Sequence, residues 1–335
     1  MSDSITTVSE LEKLIGRTPG PRDLKVIDHL DEQALRWISI SNCLFVCLFD
    51  EKEGIFATIG GGKPGFIRAE TNHLIVPLNA IDHPENLQQG KGWGSLFLVP
   101  TLNETLRVNG VIESVEKDTV TVKVVECYLH CAKALMRSNF WQPTTTMESV
   151  SDTDSFLATT TFMVVASSDE LAQADISPKG DFAGKLLCQY AQSVWYPERP
   201  GNRRVDGYRN MLRQPKIEIL ALIPGDTTVL RLSGSANLSI NENIRKDFAV
   251  KNKIPTMVTE VHSQTMTIEH SPALKRAELW PAKAPGIEIK GADIFKAHIK
   301  LSKLEGIQAK LAKKAVTIPG AFEKALEIDY QKNQY

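Results

Sequence analysis

The stretch LFLVPTLNETLRVNG (96–110) is answered 124 positions later by LALIPGDTTVLRLSG (220–234), and this echo sets the reading of the whole chain. Pro100 and Pro224, Leu106 and Leu230, Arg107 and Arg231, and Gly110 and Gly234 all keep that separation. Downstream, ALMRSNFW (134–141) returns as ALKRAELW (273–280), so that Arg137 matches Arg276 and Trp141 matches Trp280, now 139 positions apart because the second copy has the longer loop. A period of this length lies beyond the roughly 20–50 residues of solenoid and propeller repeats. It reads as a domain used twice.

The chain has 335 residues, 42% hydrophobic and 24% charged, with a net charge of −1. That length accommodates two domains, since single cores stop growing at about 250–300 residues. Near-neutral charge gives no whole-surface attraction to nucleic acid, so any anion site must come from local clustering. The polar N-terminus MSDSITTVSELEKLIG has no signal-peptide core, and no run of apolar residues is long enough to span a bilayer. The expectation is a cytoplasmic protein with no membrane and no nucleic-acid partner. Cys43, Cys47, Cys127, Cys131 and Cys188 form no CxxC pair, which favours buried thiols over a disulfide framework or a metal site. Cys43 and Cys47 would share one face of a strand.

Ser9 and Glu12 read as a capping box for a short helix ended by Gly16. Residues 23–40 place Val26, Leu30, Ala34 and Trp37 at helical spacing, with Ile27 and Ile38 alongside. From Cys43 the texture changes to short β-prone runs bounded by Gly, Asp, Asn or Pro: CLFVCLFD, GIFATI, GFIRA, HLIVPL, SLFLVP, TLRVNGVIESV and TVTVKVVE. SFLATTTFMVVAS, KLLCQYAQSVWYP, a helix-like VDGYRNMLRQ, IEILALIP, TVLRLSGSANLSI and TMTIEHS repeat that order. Residues 142–155 read as a linker. After Pro285, Ala297, Leu301, Leu304 and Leu311 fall on one helical face and most of the lysines elsewhere, as on a helix packed against the body with its charged face in solvent. The domain plan is therefore a helical arm (1–41), a first β unit (42–145), a second (146–284) and a lysine-rich helical tail (285–335).

The densest chemical signal lies in the second copy. SPKGD (177–181) and PERPGNRRVDGYRN (197–210) bring Lys179, Arg203, Arg204 and Arg209 into segments that a hairpin would join, with Ser177 and Asn202 as neutral donors. A phosphate monoester carries about −1.5 to −2 charge near neutral pH and suits such a set. In the first copy, GGGKPGF (60–66) stands where SPKGDFAGK stands, and HLIVPLNAIDHPENL (73–87) lacks about four residues, the basic pair among them. The first copy retains instead HCAKALMRSNFW (130–141), with His130, Lys133, Arg137, Ser138 and Trp141 as donors, charge and an aromatic face. The second reads HSPALKRAELW (270–280), with Ala277 in place of Ser138. A two-fold dimer builds two equivalent composite sites, and fusing the partners allows one to persist while the other is abandoned.

Taken in order, RDLKVIDHLD, SPKGD, PERPGNRRVDGYRN, IPGDTTVLRLSG and HCAKALMRSNFW resemble the pyridoxamine 5′-phosphate oxidase-like FMN-binding split β-barrel proteins, and most closely a bacterial branch of FMN-dependent enzymes. The resemblance covers about residues 20–282. It implies a mostly β fold with flanking helices, two tandem split β-barrels forming an intramolecular pseudo-dimer. It also implies that Lys179, Asn202, Arg203 and Arg204 hold the FMN phosphate, and that Arg137, Ser138 and Trp141 reach the isoalloxazine from the other half. The branch carries all these motifs in one shorter domain, whereas here they are divided between two, which argues for one FMN per chain. No pyridoxamine-phosphate recognition set maps onto the chain. The expected function is an FMN-dependent oxidoreductase acting on a small organic substrate, with NAD(P)H as a candidate electron donor and further homo-oligomerisation open. Ser-His-Asp, Walker, HExxH and GxGxxG motifs are missing from the sequence. The alternatives are haem handling through His130, His262 or His270, and a non-catalytic flavin-binding module.

Overall fold

Among the described residues fifteen strands fall into two antiparallel sheets, and fourteen of them repeat one internal order. In the computed structural model, which describes residues 3–16, 24–143, 150–201, 205–316 and positions 320, 324, 328 and 330, the first sheet holds β2 (Cys43–Asp50), β3 (Gly54–Gly61), β4 (Arg68–Glu70), β5 (His73–Pro77), β6 (Gly92–Leu98), β7 (Thr105–Val115) and β8 (Thr119–His130). Its order is β3-β2-β6-β7-β8-β5-β4. The second holds β9 (Phe162–Ser168), β10 (Ala174–Gly180), β11 (Cys188–Tyr190), β12 (Ser193–Pro197), β13 (Lys216–Leu222), β14 (Thr228–Ser239) and β15 (Val258–His270). Its order is β10-β9-β13-β14-β15-β12-β11, with the short β1 (Ser4–Ile5) added to β14. Counted from the first strand of each half, both orders run second, first, fifth, sixth, seventh, fourth, third. Among the described residues neither order closes into a complete barrel, because the two end strands do not pair.

Alternation along the strands explains why β2 and β9 are apolar on both faces. Leu44, Val46 and Leu48 enter the core of the first half, whereas Cys43, Phe45, Cys47 and Phe49 face a different cluster shared with Phe162, Val164 and Ala166. On β9, Met163 and Val165 turn the other way into the core of the second half. The molecule therefore has a core inside each sheet and a third between the two, where the Phe45 and Phe162 rings lie 5.9 Å apart. Cys43 and Cys47 share a face as expected, and burial pushes both thiols well above their ordinary pKa.

The helices depart from the sequence reading in four places. In α1 (Val8–Ile15) the capping box is Thr7 with Glu10, not Ser9 with Glu12. Thr7 Oγ1 accepts from the Glu10 backbone N–H at 3.2 Å and the Glu10 carboxylate accepts from the Thr6 and Thr7 N–H groups, leaving Leu11 buried and Glu12 turned towards Arg209. Two overlapping Ser/Thr-x-x-Glu registers compete in TVSELE, and burial of Leu11 decides between them. Of the expected helix over 23–40, only α2 (Glu32–Ile40) forms. Asp31 caps it by accepting from Ala34 N–H at 2.8 Å, and Ile27 instead makes a two-bond bridge to Cys127. SFLATTTFMVVAS is split between α4 (Thr153–Thr159) and β9, after α3 (Lys133–Arg137). Last come α5 (Asp206–Arg213), α6 (Glu242–Asp247), α7 (Pro272–Ala277), α8 (Gly291–Leu301) and α9 (Ile307–Ala315). The tail breaks between α8 and α9 at Ser302–Gly306, so one helical projection does not carry across it. Leu301, Leu304 and Leu311 are exposed, while Ile294, His298 and Ile299 are buried. The tail is anchored by His298 to Asp31 (3.3 Å) and by Lys303 to Asp28 (2.5 Å).

Candidate functional site

The two halves grip each other through matched residues. Arg107 on β7 donates to Asp175 and to the Ile176 carbonyl on β10. Its counterpart Arg231 on β14 donates to the Ala57 carbonyl on β3 at 2.7 Å and to Glu218 at 2.6 Å. The short helices exchange in the same manner. A Cβ added at Gly180, the last residue of β10, would lie 2.0 Å from the Ala134 carbonyl oxygen of α3. One added at Gly61, the last residue of β3, would lie 2.0 Å from the Ala273 carbonyl oxygen of α7. Only glycine allows a backbone to approach this closely. The crossing at Gly180 leaves a cleft beside it.

The cleft at α3 is a cavity of about 80 Å³. Its walls include His130, Cys131, Lys133 and Arg137 from the first half, and Ser177, Lys179, Glu198, Arg199 and Gly201 from the second. Lys133 begins α3 and is only 2% exposed; one turn on, Arg137 donates to the Pro200 carbonyl. Ser177 and Lys179, two residues apart on β10, are the less buried positions of its second half and so share a face. Lys179 Nζ lies 2.6 Å from Tyr208 Oη and 3.2 Å from a Glu198 carboxylate oxygen, with its charge 4.3 Å from the centre of the Tyr208 ring. The Tyr208 hydroxyl donates to Glu198. Burial, then the neighbouring Glu198 charge, holds the Tyr208 phenol well above its ordinary pKa. Arg199 pairs with the buried Asp181 and donates to the Phe248 carbonyl at 2.7 Å.

Of the residues proposed from sequence, Ser177, Lys179, His130, Lys133 and Arg137 come together here. Ser138 does not line the cleft: its hydroxyl turns back to the Ala134 and Leu135 carbonyls, at 3.0 Å each. Trp141 lies in the core between the halves, edge-on to Phe140 at 4.9 Å, with Nε1 donating to the Leu102 carbonyl at 2.6 Å. It borders a separate groove with Asn139, Phe140 and Gln142. Arg209 points to the N-terminal helix, 2.7 Å from Glu12. Asn202, Arg203 and Arg204 lie outside the described residues. Sequence reasoning passed over Glu198, Arg199 and Tyr208, although all three stand in the PERPGNRRVDGYRN motif. No local pattern marks them, because Glu198 pairs with Lys179 and Arg199 with Asp181, partners that only the fold brings near.

The matching crossing at α7 holds a carboxylate. Asp82 Oδ2 accepts from Ser271 Oγ at 2.5 Å and Oδ1 accepts from the Ala273 N–H at 2.9 Å, with Arg276 at 3.7 Å. Arg276 also donates to the Gly61 carbonyl at 3.2 Å. Burial raises the Asp82 carboxyl pKa in spite of these partners.

No protein-family model matches the chain, and no curated protein matches it. Among solved structures it is similar to HupZ of Group A Streptococcus at 19% identity, over 35% of this chain and 91% of that chain, with a TM-score of 0.29. It is similar to an F420 reductase at 9% identity, over 36% and 98%, with a TM-score of 0.28. HutZ, the heme storage protein of Vibrio cholerae, matches at 10% identity over 36% and 94%, with a TM-score of 0.24. Among the described residues no helix is long and apolar enough to cross a membrane, and no group of three or more His, Cys, Asp and Glu is placed to hold a metal ion.

Proposed function

We propose that this chain is an FMN-binding oxidoreductase whose two halves, 42–145 and 146–284, are split β-barrels fused into an intramolecular pseudo-dimer with one working cofactor cleft. The observation that carries the reading is the convergence of Lys133 and Arg137 from one half with Lys179 from the other on a cleft whose lining, among the described residues, contains a single carboxylate, Glu198. Three cations drawn from both halves suit a phosphate monoester of about −2 charge, while Arg199 is neutralised by Asp181. The motif's Asn202, Arg203 and Arg204 follow Gly201 directly in sequence.

The donor set fits the phosphate end of FMN. The cavity, at about 80 Å³, is smaller than the roughly 300 Å³ at which ordinary ligand pockets begin, so the closed cleft encloses the phosphate end and not the ring. When bound, FMN supplies hydride and electron transfer to or from a small organic substrate, with NAD(P)H as the proposed donor. The protein's part is to anchor the phosphate through Lys179 and to place the positive charge of Lys133 and Arg137 beside the bound anion. Haem handling is the second reading, favoured by His130 in the wall of the same cleft. His262 and His270 are exposed on β15, hydrogen-bonded to Ser193 and Thr228.

The absorbance spectrum of purified protein and a titration with FMN test this. One flavin per chain, lost in Lys179→Ala protein, supports the proposal. A Soret band in place of flavin absorbance, or two equal flavin sites, overturns it.

A further inference from the structure

We propose that Glu198 is an internal gate on the α3 cleft: its carboxylate occupies Lys179 in place of a ligand phosphate, and an anion enters by displacing it. This rests on reading the cleft as a phosphate site. Lys179, Glu198 and Tyr208 form a closed triangle, with Lys179 2.6 Å from the phenol oxygen and 3.2 Å from the carboxylate, and the phenol donating to that carboxylate. Glu198 lines the cavity with its side chain 14% exposed. A phosphate reaching Lys179 would therefore meet a carboxylate at contact range in a poorly solvated space, where like charges repel strongly.

The fixed and movable members of the triangle can be told apart. Lys179 stands on β10 in register with Met163, one residue before the glycine clamped under the Ala134 carbonyl, so the base of its side chain cannot shift. Glu198 follows the end of β12, at the start of the Pro200–Gly201 turn that leads into the basic motif. Turning its side chain outwards frees Lys179, whose ammonium has three donors to offer a phosphate. The matching crossing at α7 shows a carboxylate held in place by the chain itself, since Asp82 accepts from Ser271 Oγ and the Ala273 N–H. At α7 the carboxylate is gripped by backbone and hydroxyl donors, whereas at α3 it is held by the cation that the ligand needs. The gate makes the cleft selective for dianions, because a singly charged carboxylate ligand gains little by replacing another.

The test is calorimetric titration of inorganic phosphate, with FMN in parallel, into wild-type, Glu198→Gln and Tyr208→Phe proteins. Glutamine keeps the shape and hydrogen-bonding capacity of the side chain, and Tyr208→Phe loosens the gate while leaving its charge in place. Phosphate should bind Glu198→Gln protein about tenfold or more tightly than wild type, and Tyr208→Phe protein by a smaller margin in the same direction. Affinities equal to or weaker than wild type in both variants overturn the gate while the phosphate reading stands. Absence of phosphate and FMN binding in all three proteins overturns both.

Discussion

The crossings at α3 and α7 are built from the same elements in the same order, and they differ in which residue supplies the negative charge and in the cavity that lies beside α3. At α7 the charge is Asp82, held by Ser271 and the Ala273 N–H. At α3 it is Glu198, held by Lys179 and Tyr208, while further cations stand around it. Both glycine crossings have been retained, at Gly61 and Gly180. Two crossings of matching topology can thus share their packing and differ in charge, because packing needs only shape whereas an anion site needs surplus charge.

The most damaging changes should be those at the crossings. Gly180→Ala and Gly61→Ala each drive a methyl group into a backbone carbonyl and should cost about 3 kcal/mol or more in chemical denaturation. Gly180→Ala should also abolish FMN binding, while Gly61→Ala, in whatever fraction stays folded, should leave it intact. Equal loss of binding in both would break the distinction between the crossings.

Next in size is the pair Lys179→Ala and Arg276→Ala. Losing one charge-assisted hydrogen bond of about 1.5–3 kcal/mol should weaken FMN ten- to hundredfold at Lys179. FMN affinity should be unchanged at Arg276, whose partners are the Gly61 carbonyl and Asp82. Fluorescence titration of the two variants side by side reads the contrast.

Trp141 and Trp280 occupy matched positions, and each Nε1 donates to a backbone carbonyl at 2.6 Å, Leu102 and Phe140 respectively. Substituting either by phenylalanine should cost about 1 kcal/mol of stability without touching flavin binding. Loss of flavin in Trp141→Phe protein alone would return that side chain to the cofactor site.

The smallest effect is in pH dependence. The Asp82 carboxyl pKa is raised in the folded state, so the native protein holds a proton that the unfolded chain has already released. Its contribution to stability is greatest below the unfolded value, about 3.9, and declines as pH rises through the folded value. Asp82→Asn removes this decline. The difference in denaturation midpoint between wild type and variant should favour wild type more at pH 4 than at pH 7, and a reversed trend would mean that the surroundings of Asp82 welcome the charge.

Much of this was readable from the residues. The spaced arginines 107 and 231 announce a repeated strand pair, whereas the expected division of Lys179 to the phosphate and Arg137 to the ring gives way to a single cleft that both side chains line. The alternation in CLFVCLFD marks a strand buried on both faces. Helix limits were less legible. Residues 24–30 carry helical spacing, yet Ile27 pairs with Cys127 because a sheet edge about 100 positions away satisfies its backbone better than another helical turn would. Trp141 looked like an aromatic face for a ligand, but its indole is taken by Leu102 in the core between the halves, a contact that no local pattern records.

Residue order alone therefore carried the internal echo, the β texture and the clustering of cations in a few motifs. Spacing records the geometry of strands and helices, and charge type records what a loop can bind. Tertiary structure alone decided that Asp82 meets Ser271 and Ala273 at one crossing, that Glu198 and Tyr208 meet Lys179 beside the other, and that Arg209 and Trp141 face other partners. Those outcomes depend on which side chains meet across the interface, where a few ångströms of backbone approach decide whether a cation faces a ligand or an acid of its own chain.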